Sequence, residues 1–150
     1  MENQISNTRP TWEEYALMLA HTASHRSEDV HCRVGACALD HNNRVLGVAY
    51  NGLCSGKQAP VGFWDDRDAR RPYMIHAEVN LLSLFKKGEA KLIATTLSPC
   101  TSCAQMICAY DIKKVVYMDD YKRDMQAEKI FNFYGVTLEK ISSNRIIRST

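Results

Sequence analysis

The sequence has no apolar run long enough to span a bilayer, so nothing in it reads as a transmembrane helix. Its first residues, Met1-Glu2-Asn3-Gln4, lack the basic and then apolar pattern of a secretion signal. It has little excess charge of either sign: the formal net charge of +2 is too small for a general nucleic-acid or membrane binder. No internal repeat or linker-like stretch divides the 150 residues, a length that suits one domain (1–150) with a real core. These absences together lead us to expect a protein of a reducing compartment, the cytoplasm.

That expectation decides how the six cysteines are read. In a reducing compartment disulfides are disfavoured, and clustered cysteines are more often metal ligands or catalytic groups. One close pair exists, Cys100 and Cys103. Cys32, Cys37, Cys54 and Cys108 are scattered, and each reads as a small core or surface thiol without chemistry.

What is present is an alternation of helix and strand patterns. Thr11 and Glu14 form a capping box, followed by Trp12, Tyr15, Leu19 and Thr22 at helical spacing. Val34–Leu39 and Arg44–Tyr50 read as antiparallel strands around a His41-Asn42-Asn43 turn. Asn51 to Tyr73 is a long connection, punctuated by Gly and Pro and carrying a mixed charge run from Asp65 to Arg71. Connections of that length inside a compact domain are usually functional or mobile. Helices are then expected over His76–Lys87, Cys100–Tyr110 and Arg123–Tyr134, with strands at Leu92–Leu97, Val115–Met118 and Val136–Ile141. Ser142 to Thr150 reads as a loose tail or an oligomer contact. The order implies an α/β fold, a three-layer α/β/α sandwich around a five-stranded mixed sheet.

Two segments carry chemistry: His76-Ala77-Glu78 and Pro99-Cys100-Thr101-Ser102-Cys103. Cysteines three apart at a helix start put both sulfurs on one side of the helix. The positive end of the helix favours thiolates. His76 supplies a third, neutral ligand, so His76, Cys100 and Cys103 are the expected Zn2+ ligands. Three protein ligands leave a fourth position open for water, as in catalytic zinc sites. Two thiolates cancel the formal charge of the metal and weaken it as a water activator. Glu78, close by but not a ligand, makes up for this as general acid and base. H-x-E followed by P-C-x-x-C is the pattern of zinc-dependent hydrolytic deaminases, which act on cytosine or adenine rings. A redox Cys-x-x-Cys pair would not call for His-x-Glu. A structural zinc would need a fourth ligand, and Cys108 projects to another side of its helix.

Beyond those motifs the chain resembles the deoxycytidylate deaminases over about Trp12 to Ile141. The matching stretches are Trp12-Glu13-Glu14-Tyr15, Arg26-Ser27, Val34-Gly35-Ala36, Tyr50-Asn51-Gly52, His76 through Asn80, Ser98 through Cys103, and Val115 through Met118 followed by Tyr121. The resemblance implies a cytidine-deaminase-like fold and hydrolysis of dCMP to dUMP and ammonia for thymidylate synthesis. It also implies a homohexamer, with dCTP as activator and dTTP with Mg2+ as inhibitor. By the same resemblance Asn51 holds the sugar or phosphate, Tyr121 and Ser27 contribute to the phosphate site, and the effector site is built around Tyr50, Asn51 and Gly52 and the following loop. An anionic substrate calls for cations near its phosphate. Arg26 and Arg33 are the candidates on charge and location, with a solvated or interface role for either left open. Asn80 reads as a structural polar residue. Ala49 stands where the family has glycine, and Asn51 to Tyr73 holds only Cys54 and no histidine, so one zinc is expected.

Two rival functions remain at this point. One is a base deaminase acting on tRNA or single-stranded DNA, which needs a basic track with aromatic stacking. Charge balance opposes it, although Lys113, Lys114, Lys122 and Arg123 cluster locally. The other is a non-catalytic nucleotide binder on a deaminase fold, against which Glu78 argues. No membrane or nucleic-acid partner is expected.

Overall fold

Thr11 opens the first helix as its side chain predicts. In the computed structural model, which describes residues 9–147, Glu14 N donates to Thr11 Oγ1 at 3.1 Å and Thr11 N donates to the Glu14 carboxylate at 2.9 Å. Met1–Gln4 and Arg148–Thr150, which the compartment and tail readings drew on, lie outside the described residues. Helix α1 (Trp12–Ser24) buries Ala16, Leu17, Ala20 and Ala23. Small residues on that face let it lie close to the sheet. At Gly35 an added Cβ would stand 1.8 Å from Ala20 O, so only glycine fits beneath the helix.

The strands are β1 (Gly35–Asp40), β2 (Val45–Tyr50), β3 (Ala90–Leu97), β4 (Lys114–Asp119) and β5 (Thr137–Lys140). They form one sheet in the order β2-β1-β3-β4-β5. β1 is antiparallel to both β2 and β3, whereas β3–β4 and β4–β5 are parallel. Successive strand side chains face opposite ways, and the core follows that alternation. Ala36, Ala38, Ile93 and Val115 face one cluster, and Cys37, Leu39, Leu92, Ala94 and Val116 face the other. α1 and the C-terminal α6 (Ser143–Ile147) cover the second face through Leu17 and Ile146. On the first face lie α3 (Ala77–Leu82), α4 (Thr101–Ala109) and α5 (Ala127–Phe133). This is the three-layer arrangement the sequence predicts.

Several boundaries differ from expectation. α3 ends at Leu82 rather than Lys87, because Leu84 N turns back to Leu81 O at 3.0 Å and the chain leaves the helix. α5 begins at Ala127 rather than Arg123, since the preceding residues are held in a turn closed by Asp124 N to Tyr121 O at 3.2 Å. The long connection contains a short helix, α2 (Arg67–Arg70), and a 3₁₀ turn (Arg71–Tyr73). The expected tail is helical over Ser143–Ile147, where Ile146 is buried. No helix among the described residues is long and apolar enough to cross a membrane.

Candidate metal and substrate site

The long connection returns to where it left. Gly52 and Ile75 exchange backbone hydrogen bonds of 3.0 and 2.8 Å, so Asn51 and His76 emerge side by side. His76 is the extended N-cap residue of α3, and its carbonyl already accepts from Asn80 N at 3.1 Å. Cys100 has the same place at the head of α4, following Pro99, with Ala104 N donating to its carbonyl at 2.9 Å. Both candidate ligand segments are therefore helix starts on the same edge of the sheet, and Cys103 lies one turn into α4.

His76 Nδ1 lies 3.4 Å from Cys100 Sγ and 3.4 Å from Cys103 Sγ. All three ligand atoms lie within 4.8 Å of one another. Sulfur at about 2.3 Å and nitrogen at about 2.05 Å from a tetrahedral ion stand about 3.5 Å apart. The spacing fits a zinc ion. Cys103 is buried, Cys100 half-buried and His76 exposed, so the ligand set opens to one side.

The electrostatics agree with that donor set. The Cys100 thiol is lowered to about 3, first by the hydrogen bond from Cys103 and then by those from His76 and Ser102. Cys103, as the donor of that pair and a buried group, is pushed up. The contact with Cys100 also raises His76. The contact between the two sulfurs thus pushes their thiols in opposite directions. A divalent cation among the three atoms favours thiolate at both. Glu78, in the first turn of α3, is only 4% exposed, and burial raises its carboxyl above the usual range.

His76, Glu78 and Cys100 line a cavity of about 630 Å³. Asn51 and Tyr121 stand in its wall. Asn51 is fixed by its own amide: Oδ1 accepts from Val34 N at 2.9 Å and Nδ2 donates to Cys32 O at 2.9 Å. Ser27 lies behind it, buried and donating to Asn51 O at 2.9 Å, and does not line the cavity. Arg26 and Arg33 are exposed and also stand outside the cavity wall; Arg26 lies over the Tyr50 ring at 5.9 Å. Asn80 Nδ2 donates to Tyr50 O at 2.9 Å, a bond that joins α3 to the end of β2.

The cations that do face the cavity are Arg67, Arg70, Arg71 and Arg123. Arg70 is buried and pairs with Asp29 at 2.6 Å, with Trp64 packed against its guanidinium at 5.6 Å. Arg67, Arg71 and Arg123 make no salt bridge among the described residues. The sequence did hold a signal for the first three, the charge run from Asp65 to Arg71, with Asp66 placed to cap a helix. Asp66 Oδ1 accepts from Asp68 N and Ala69 N at 3.0 and 3.1 Å. The lysine and arginine cluster around β4 separates: Arg123 faces the cavity, while Lys114 pairs with Glu13 and Glu139.

A five-stranded mixed sheet that presents His-x-Glu and Pro-Cys-x-x-Cys at neighbouring helix starts defines the class of zinc-dependent deaminases. Residues 10–119 match the family described as the cytidine and deoxycytidylate deaminase zinc-binding region. The chain is 34% identical to human deoxycytidylate deaminase over 142 residues, covering 86% of this chain and 79% of that one. It is 35% identical to the deoxycytidylate deaminase of Mycobacterium phage D29 over 125 residues, covering 73% and 96%. The crystal structure of dCMP deaminase from the cyanophage S-TIM5 in complex with dCMP and dUMP superposes with a TM-score of 0.75. Sequence identity there is 26%, and the match covers 89% of this chain and 99% of that one. The chain belongs to the cytidine and deoxycytidylate deaminase family, and it is a deaminase.

Proposed function

We propose that this deaminase hydrolyses dCMP to dUMP and ammonia. The observation that carries the reading is that a deamination centre and a cluster of arginines share one cavity: Glu78, His76 and Cys100 lie in the same wall as Arg67, Arg70, Arg71 and Arg123, with Cys103 buried behind Cys100. A nucleoside monophosphate offers an aminated ring to the first and a phosphate to the second. The names of the relatives, and the dCMP and dUMP in the cyanophage structure, support the same substrate.

His76, Cys100 and Cys103 would hold the zinc, which when bound supplies a Lewis acid that makes water reactive near neutral pH. Glu78 would take one proton of the attacking water and pass it to the ring nitrogen beside the aminated carbon, then take the second proton from the hydroxyl added to that carbon and give it to the amino group, which leaves as ammonia. Burial suits Glu78 to this exchange, because it brings the protonated and ionised forms closer in energy. Asn51 and Tyr121, both in the cavity wall, would meet the sugar and phosphate. Arg67, Arg71 and Arg123, without acidic partners among the described residues, take the role for which charge and location first nominated Arg26 and Arg33.

The same reading extends to one deaminase domain over 1–150, a cytoplasmic location and a homohexamer. It also includes activation by dCTP and inhibition by dTTP with Mg2+ around Tyr50, Asn51 and Gly52. Family resemblance supports these, and the Arg26–Tyr50 contact puts a cation beside the proposed effector segment.

Ammonia release from dCMP, deoxycytidine and a short oligonucleotide, each with and without dTTP and dCTP, tests the reading. We expect turnover of dCMP far above the other two, suppressed by dTTP with Mg2+ and restored by dCTP. Turnover of the oligonucleotide alone would overturn the substrate, and a flat response to both triphosphates would overturn the regulation.

A further inference from the structure

Cys100 occupies the N-cap of a nine-residue helix, a position where Asp, Asn, Ser or Thr normally supplies an oxygen to the first free N–H groups. A cysteine has no such oxygen, and this one turns its sulfur towards His76. The oxygen comes instead from Asp124, 23 residues beyond Thr101. Thr101 N donates to Asp124 Oδ2 at 2.7 Å, and Thr101 Oγ1 donates to Asp124 Oδ1 at 2.9 Å.

The same carboxylate also organises its own connection. Gln126 N donates to Asp124 Oδ1 at 3.2 Å, and Asp124 N donates to Tyr121 O at 3.2 Å. Three donors from two elements fix both carboxylate oxygens. Tyr121 and Arg123 stand on this connection and line the cavity; Thr101 lies beside Cys100 at the head of α4. A local cap from the helix's own N-terminus would leave the 120–126 segment free of α4. The cap found here makes that segment and the metal-bearing helix one unit.

We infer that Asp124 is a positioning residue: by capping the helix that carries Cys100 and Cys103 it sets where Tyr121 and Arg123 meet the substrate. The inference rests on the proposed nucleotide substrate for its assay and on the hydrogen bonds alone for its geometry. Asp124 lines the cavity as well, but both of its carboxylate oxygens are taken by Thr101 and Gln126, so its removal acts through the residues it places.

The test is a set of variants of the zinc-loaded protein: Asp124→Ala, Asp124→Asn, Thr101→Ala, Tyr121→Phe, and Asp124→Ala combined with Tyr121→Phe. Each is assayed for zinc content and for KM and kcat. Asp124→Ala is expected to keep its zinc and to lose about tenfold to a hundredfold in kcat/KM, mostly through KM, the scale of losing charge-assisted hydrogen bonds. Asp124→Asn keeps one acceptor for Thr101 N and should recover most of that loss. Thr101→Ala, which retains the backbone cap, should fall between them and provides the measurement if Asp124→Ala does not fold. Tyr121→Phe should cost activity in the parent and little in the Asp124→Ala background. An equal effect of Tyr121→Phe in both backgrounds overturns the inference. So does loss of zinc from Asp124→Ala, or a fall in kcat alone, because either would make Asp124 only a helix cap. Absence of dCMP turnover in the parent is a separate failure, that of the proposed substrate. The same coupling is then measured on whichever aminated pyrimidine the parent does turn over.

Discussion

Asp29→Ala is the substitution whose cost the structure specifies best. Asp29 Oδ2 accepts from Arg70 Nη1 at 2.6 Å, and Oδ1 accepts from His31 N and Cys32 N at 2.8 and 3.1 Å. The side chains are 5% and 3% exposed, so water does not take over these bonds when the carboxylate is removed. Arg70 Nε is already buried without a partner. The variant therefore leaves a buried cation uncompensated and two N–H groups without acceptors. Breaking one side of a buried ion pair costs about 3–5 kcal/mol, a third or more of the total stability of many domains, which is about 5–15 kcal/mol. For a chain of this size the unfolding midpoint should fall by roughly 10 °C. Thermal and urea unfolding of the purified variant read this directly. Asp29→Ala with Arg70→Met removes both charges and should recover more than half of the loss, leaving about 1–2 kcal/mol for the two N–H groups. A loss below about 1 kcal/mol in the single variant would refute the reasoning. A double variant no more stable than the single would do the same.

Glu78→Ala should retain zinc while turnover falls by about 10²–10⁴-fold, the usual worth of a general acid–base group; a parental rate would eliminate the proton shuttle. Cys100→Ser should lose the metal together with activity, as measured by metal analysis of the purified protein, and full zinc occupancy would argue against this ligand set. Gly35→Ala must drive a methyl group into Ala20 O, 1.8 Å from the ideal Cβ position, with Ser24 N 2.7 Å away. It should cost several kcal/mol or prevent folding, and a soluble variant that melts with the parent would contradict the packing of α1 on β1.

What a single sequence reveals here depends on how far apart the interacting groups are. The capping box at Thr11 and Glu14 is local, and both of its bonds form. The strands were legible because short apolar runs and the turn residues that bound them are local as well. The candidate ligands were legible because two short spacings encode them. The arginines of the cavity were not, since Arg70 needs Asp29, 41 positions earlier, to become part of a wall. Without that partner, Asp65 to Arg71 looks like a solvated run of mixed charge. Arg26 precedes a buried serine in a matching motif, yet the fold turns it outward to the Tyr50 ring. The start of α5 was read too early for a related reason: Asp124 looks like a residue of the coming helix, but its carboxylate is committed to Thr101. Likewise the polar run from Ser142 conceals one anchor, Ile146, whose burial folds the segment.

The bridge between Gly52 and Ile75 has a consequence for how this protein can be altered. It closes the long connection at its base, while Arg70 on Asp29 at 2.6 Å and Trp64 O on His31 Nε2 at 2.9 Å hold residues 53–74 to the segment at 29–31. The residues at the base carry the chemistry, and the loop above them carries arginines of the wall. Changing the charge of the loop at Arg67 and Arg71, with Arg70 kept as the partner of Asp29, should therefore retune which anion is accepted. The geometry at His76 is anchored below these positions and should survive the change. Libraries built in this segment are the efficient route to new substrates on this scaffold, with zinc content serving as the control that the base has held.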